Sequence, residues 1–507
     1  MIRPIRRFVG ALACAVTLAL AASAVAPAAA APVDAAGARG LATESLGPAA
    51  FGPGYSTPVS DSKYPAFGNP AIDVLSYKLD LKWEPLAKRL RGTATLDIRP
   101  VSSASSFWLN LGKPLQVSGV QVGPTPADPT TDPTAGLTST NDFTHIGRRL
   151  TVSYPVVADE PVTVVIAYSG TPATAQAPTS RGDLQTLGWH GTSDGQVWTM
   201  QEPYGAYTWY PVNDQPSDKA MYTVSLNVPD KFVGVSNGEL VSRQQVGSRE
   251  VTSFSNSQPM ASYLMTVAIG PYRRYTQTGP NGLPLTYWYP RGQSSLLTPL
   301  KKTPGALQFL ESRLGPYPFD RAGVVVVPAK SAIETQTLIT LGAATYKGGN
   351  QNVRETVLHE LAHSWYGDSV TPTDWSDLWM NEGFAMWEEI QYSVAKHWRT
   401  WSSWKDADNG FTRNDDWWRY LYGPPGSYKS GQFAQINVYY CTVLMLNQLR
   451  LKVGDPTFDK MLRDWPTQHA DSNANRADYV SFADAESGQS LGSFFDAWLN
   501  GSRTPTS

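Results

Sequence analysis

Between Asp73 and Tyr275, short runs of β-branched, aliphatic and aromatic residues recur, separated by clusters of Gly, Pro, Asn, Asp and Ser. Runs at 75–83, 93–98, 107–111, 162–168, 222–228 and 263–269 predict strands, and no helical period competes with them. This stretch reads as an all-β region of sheets and hairpins. Beyond about residue 283 the pattern mixes. Residues 300–314 predict a helix that stops before Pro316, and the apolar run 324–327 predicts a buried strand. Three helical stretches follow, at 352–366, 376–396 and 435–452. The expected organisation is an all-β domain over 59–275, then a mostly helical α+β domain over 276–507.

The start of the chain follows another pattern. Arg3, Arg6 and Arg7 precede an apolar run from Phe8 to about Val25, and small residues continue to Ala31. A basic start, an apolar middle and a small-residue end predict a secretory signal peptide over 1–31. The run is short for a membrane span, so a secreted, extracellular protein without stable membrane insertion is expected after cleavage. Residues 32–58, rich in Ala, Gly and Pro, predict a flexible lead.

Composition narrows the class. The chain has 507 residues, 41% of them hydrophobic, with 17 Trp, 24 Tyr and 16 Phe, which excludes global disorder. Its net charge is −2, and losing the three leader arginines carries it to −5, which argues against a nucleic-acid partner. With only Cys14 and Cys441, a disulfide scaffold is excluded. Cys441 is expected to be a buried small hydrophobe.

The chemistry sits in His359-Glu360-Leu361-Ala362-His363, an H-E-x-x-H segment. Val353, Val357, Leu361 and Trp365 recur every fourth residue and predict an amphipathic helix. Helical residues four apart share a face, so both imidazoles can reach one zinc ion. Glu360 is rotated about 100° from His359 and can stand beside the ion as a base for water. Catalytic zinc usually takes three protein ligands. The candidate third is Glu382, nineteen positions after His363, with room between them for a helix end at Gly367 and a loop through Pro372.

The block from His359 to Glu382-Gly383-Phe384-Ala385 resembles the M1 family of zinc metallopeptidases, the aminopeptidase N and leukotriene A4 hydrolase group. Gly315-Pro316-Tyr317-Pro318-Phe319 and the segment from Trp209 through Ala220 are similar to further M1 landmarks. The resemblance implies a saddle-like all-β N-terminal domain and a thermolysin-like catalytic domain, in a short two-domain form. It implies one Zn²⁺ per chain, held by His359, His363 and Glu382, with Glu360 as base. The family's exopeptidase motif corresponds to Ser331-Ala332-Ile333-Glu334-Thr335, which keeps only the Glu that binds the substrate's α-amine. Glu202 matches a second amine-binding acid. Tyr439 matches a tyrosine that stabilises the oxyanion, with Tyr440 as its rival.

These expectations describe a zinc aminopeptidase acting on peptides with a free N-terminus. The altered exopeptidase motif keeps an endopeptidase or broader peptidase in view. A non-catalytic, zinc-containing binding protein is the reading from another class, and the intact Glu360 counts against it. Trp417-Trp418-Arg419-Tyr420 is a candidate cleft lining or core cluster, and His145, His190, His397 and His469 lack ligand spacing.

Overall fold

The computed structural model describes residues 48–128, 130–406 and 410–505. The expected signal peptide, with Cys14, lies outside the described residues, as does most of the lead. The described residues form one compact unit.

Alternation of burial builds the first half. In Ile72–Glu84 the side chains of Tyr77, Leu79, Leu81 and Trp83 are buried while Lys78 and Asp80 face solvent. This is the period-two pattern of a sheet with one wet face. The strand pairs antiparallel with Arg89–Pro100 and parallel with Lys219–Pro229, in register Leu79↔Val224. Among the described residues these strands sit inside a nine-stranded sheet. A five-stranded sheet containing Thr186–Gly191, Val197–Met200 and Val267–Gly270 lies beside it, with a three-stranded sheet built on Phe107–Asn110.

The strand expected at 263–269 forms only from Val267. Ser262–Leu264 is a 3₁₀ turn instead. Its polar side chains are committed elsewhere: the Ser262 hydroxyl donates to Asp214 at 2.9 Å and the Tyr263 hydroxyl to the Gly367 carbonyl at 3.0 Å. Tertiary contacts here override strand propensity.

A second five-stranded sheet begins at Tyr272–Thr278 and runs in the order Tyr272–Thr278, Pro284–Pro290, Ala322–Val327, Ile339–Gly342, Ala332–Ile333. Ala322–Val327 is central, parallel to both neighbours and buried throughout, as its apolar run predicts. Ala332–Ile333 is the edge strand and leads directly to Glu334.

The helix predicted over 352–366 runs from Gly349 to Ala362 and stops at His363. It ends earlier than expected because the Asp368 amide folds back to the His363 carbonyl at 2.9 Å and Gly367 takes φ +130°. The stretches at 376–396 and 435–452 each open with a widened π-helical turn, Trp379–Gly383 and Asn437–Cys441, before Phe384–Ala395 and Thr442–Val453. Longer helices at Phe411–Tyr422, Asp455–Gln468, Arg476–Ser487 and Gly492–Asn500 had no clear sequence signal. Pro456 and Pro466 hide one of them.

The segment preceding the first long strand is fastened to the helical half. Asp61 accepts from the Trp375 amide at 2.7 Å, Lys63 donates to the Tyr428 carbonyl at 2.7 Å, and Tyr64 donates to the Ser430 carbonyl at 3.0 Å. Lys219, on a β strand, buries its ammonium against the carbonyls of Asp368 and Ser369 at 2.9 and 2.8 Å. No helix among the described residues is long and apolar enough to cross a membrane.

Candidate metal centre and active-site cavity

His359 lies on the last turn of the Gly349–Ala362 helix and His363 at its C-terminal cap. Glu382 comes from the π turn that opens the next helix. The carboxylate oxygen Glu382 Oε2 is 3.1 Å from His359 Nε2 and 3.3 Å from His363 Nε2. Ligands about 2.05 Å from a tetrahedral zinc stand roughly 3.3 Å apart, so this donor set fits the ion in number, chemistry and spacing. A tetrahedral site so built keeps its fourth corner open.

An outer contact fixes the orientation of the His363 ring. His363 Nδ1–H donates to the Tyr366 carbonyl at 3.1 Å, which leaves Nε2 with its lone pair toward Glu382. His359 Nδ1 is 3.1 Å from Glu389 Oε2. Burial alone would raise the Glu382 carboxyl, but hydrogen bonds and charge from the two imidazoles hold it well below its ordinary value.

Glu360 stands beside this trio. Its carboxylate groups with Glu334 and His363, ligand atoms within 4.8 Å of one another, and His363 is shared with the His359–His363–Glu382 trio. Burial pushes the Glu360 carboxyl up to about 8 against the opposing pull of His359 and His363. Glu334 follows the edge strand and accepts from Asn381 Nδ2 at 3.0 Å. Glu202 follows Val197–Met200, is 6% exposed, and has a buried Oε1 without a hydrogen-bond partner. Burial first, then the charge of Glu334, raises its carboxyl well above the usual range.

All seven residues singled out in the sequence (Glu202, Glu334, His359, Glu360, His363, Glu382 and Tyr439) line one cavity of about 590 Å³. The Tyr439 hydroxyl donates to Glu382 Oε1, and its ring stacks 6.0 Å from that of His359. Tyr440 also borders the cavity, but its ring packs on Phe411 at 4.5 Å and on Trp418 at 5.5 Å. Geometry therefore favours Tyr439 as the hydroxyl at the metal centre.

The Trp417–Tyr420 cluster does not line this cavity. Trp418 is in the core, Arg419 is buried against Asp415, and Trp417 and Tyr420 are exposed and stacked on each other. His190 stacks on Trp198 and His469 on Trp465, both away from the metal centre. Cys441 is buried.

Two residues that touch this constellation were missed. Glu389 sits seven positions after Glu382, a spacing that returns a helical side chain to nearly the same face. That signal was legible. Arg181 comes from an irregular segment of the β-rich half, and no local pattern announces it.

Comparisons with known proteins give the family. Residues 299–498 match the model of the peptidase family M1 domain, and residues 74–264 match that of the peptidase M1 N-terminal domain. The chain is 26% identical over 336 residues to aminopeptidase M1 of Arabidopsis thaliana, covering 61% of this chain and 37% of that protein. It is 26% identical over 466 residues to aminopeptidase M1-A of Oryza sativa subsp. japonica, covering 83% and 49%. It thus spans half or less of the length of these curated relatives. Among solved structures, an M1 zinc metallopeptidase from Deinococcus radiodurans superposes with a TM-score of 0.74 at 26% identity, covering 89% of this chain and 98% of that one. That protein's mutant form has been seen with a Tyr-Ser-Ala substrate, at 25% identity to this chain.

Proposed function

Because this chain belongs to peptidase family M1, we propose that it is a zinc-dependent aminopeptidase that removes N-terminal residues from peptides. The observation that carries the exopeptidase reading is the orphaned Glu202 carboxylate beside Glu334, in the same cavity as the histidines. Glu202 Oε1 has no hydrogen-bond partner and Glu202 stands close enough to Glu334 for their charges to repel, and a substrate's α-ammonium is a cation able to bridge the two acids. An endopeptidase cleaving in mid-chain would bring only a neutral peptide group there.

A zinc ion held by His359, His363 and Glu382 supplies Lewis acidity to water and to the scissile carbonyl. The remaining work falls to the chain. Glu334 and Glu202 fix the ammonium, which sets the cleaved bond one residue from the N-terminus. Glu360 takes the proton of the attacking water and delivers it to the leaving amine. Tyr439 donates a hydrogen bond from its hydroxyl to the oxyanion as it forms. The edge strand Ala332–Ile333 offers unpaired backbone groups to an extended peptide beside Glu334.

The deciding experiment compares an aminoacyl fluorogenic amide with its N-acetylated form, each with and without chelator. Chelator-sensitive hydrolysis confined to the free amine supports the reading; equal turnover of both substrates would replace it with the broader peptidase. We also place the mature protein outside the cell, from the pattern of residues 1–31. N-terminal sequencing of the extracellular protein checks this, with a start near residue 31 expected.

A further inference from the structure

Arg181 lies in an irregular segment of the β-rich half, yet it reaches the residues around the metal centre. Its guanidinium has five N–H groups, and five acceptors meet them. Nε and Nη2 donate to the two Asp183 oxygens at 3.2 and 2.7 Å, a bidentate pair. Nη2 also approaches Ser331 Oγ at 3.5 Å. Nη1 donates to the Ala434 carbonyl at 3.0 Å and to the Tyr439 hydroxyl oxygen at 3.1 Å. No donor is left for a substrate carboxylate.

The neighbouring residues clamp the same two segments together. The Phe433 amide donates to the Pro178 carbonyl at 2.9 Å. Gln435 Nε2 donates to Thr179 Oγ1 at 3.1 Å and Ser180 Oγ at 2.9 Å, and Ser180 Oγ donates to Gln432 Oε1 at 2.7 Å. Ala434, held between them, takes φ +50°. This clasp lies immediately before Asn437–Cys441, the turn that carries Tyr439.

We propose that Arg181 is a positioning residue for Tyr439, holding its hydroxyl so that the single phenolic proton points to the metal centre. The reason is donor arithmetic. A phenol has one proton to give and lone pairs that can accept. Arg181 can only donate, so its Nη1–H occupies a lone pair of Tyr439 and leaves the O–H to Glu382 or, during reaction, to the oxyanion. Its fixed positive charge also strengthens that O–H as a donor. Asp183 and the clasp hold the guanidinium in place, so the orientation exists before substrate arrives.

This inference rests on the oxyanion role proposed above for Tyr439, and the experiment separates the two. Arg181→Met, Arg181→Lys, Tyr439→Phe and the double variant Arg181→Met/Tyr439→Phe are assayed for kcat and KM on an aminoacyl amide, with zinc content measured for each. The expected result is a kcat lowered about tenfold or more in R181M with KM within about twofold and zinc retained. R181K recovers part of the loss. In the Y439F background, R181M costs less than about twofold further, because the group it positions is gone. Fully multiplying losses in the double variant, or a raised KM with unchanged kcat, would overturn the positioning role. A Y439F enzyme with near-normal kcat would instead remove the oxyanion role of Tyr439. If R181M does not fold, Asp183→Asn loosens the same guanidinium. It is expected to lower kcat when Tyr439 is present but not in the Y439F background, and an equal loss in both would overturn the proposal.

Discussion

The charges around the metal centre are divided by task. Glu382 faces both imidazoles, whereas Glu360 groups with Glu334 and with one of them, His363. Glu360→Gln is therefore expected to keep zinc and lower kcat by about 10²–10⁴-fold, read from paired metal analysis and turnover. With the substrate ammonium held as proposed, Glu334→Ala should raise KM for free-amine substrates roughly 10–100-fold while any hydrolysis of N-acetylated ones stays unchanged. Imidazoles must be neutral to bind metal. Zinc should thus be retained at pH 7 and lost to chelator progressively faster below about pH 6, followed by metal content against pH. At this scale much was legible. Spacing singled out His359, Glu360 and His363 on one helix and Glu382 as a candidate third ligand, and family likeness added Glu334, Glu202 and Tyr439. Arg181 was invisible because its role arises from a contact 258 positions away in the chain.

Among the elements, the two π turns matter most. Trp379–Gly383 presents Glu382 and Asn437–Cys441 presents Tyr439, each at the entry to a helix. They pack closely because Gly383 has no side chain. A Cβ there would fall 2.2 Å from Thr442 Cγ2, on the helix that follows Tyr439. Gly383→Ala is therefore expected to push the two elements apart, cost about 1–3 kcal/mol and weaken zinc retention, measured by thermal melting and metal titration. Apolar periodicity located both helices, but it does not register one extra residue in a turn, so the π geometry was not foreseen. The same limit applies to Ser262–Leu264, where hydrogen bonds to distant groups displaced an expected strand start.

For the whole molecule, one apolar core spans the β-rich and helical halves, and buried polar contacts such as those of Lys219 and Tyr263 cross between them. Burial lowers the Lys219 ammonium from 10.5 to about 8, with the Asp471 and Asp368 charges opposing. A lysine depressed in the folded state adds stability that is complete above its unfolded value and lost as pH falls through its folded one. Wild type should therefore gain roughly 3 kcal/mol relative to Lys219→Met between pH 8 and 10.5, seen as a rise in its melting temperature relative to that variant. Strand-rich and helix-rich regions were readable from pattern, but the residues that join them were not, since their partners lie far apart in the chain. Asp61, Lys63 and Tyr64 have a further consequence of this kind. Their partners, Trp375, Tyr428 and Ser430, emerge from the ribosome only after more than 300 further residues. During vectorial synthesis these three contacts have no partners until the helical half is made, so they close among the later events of folding.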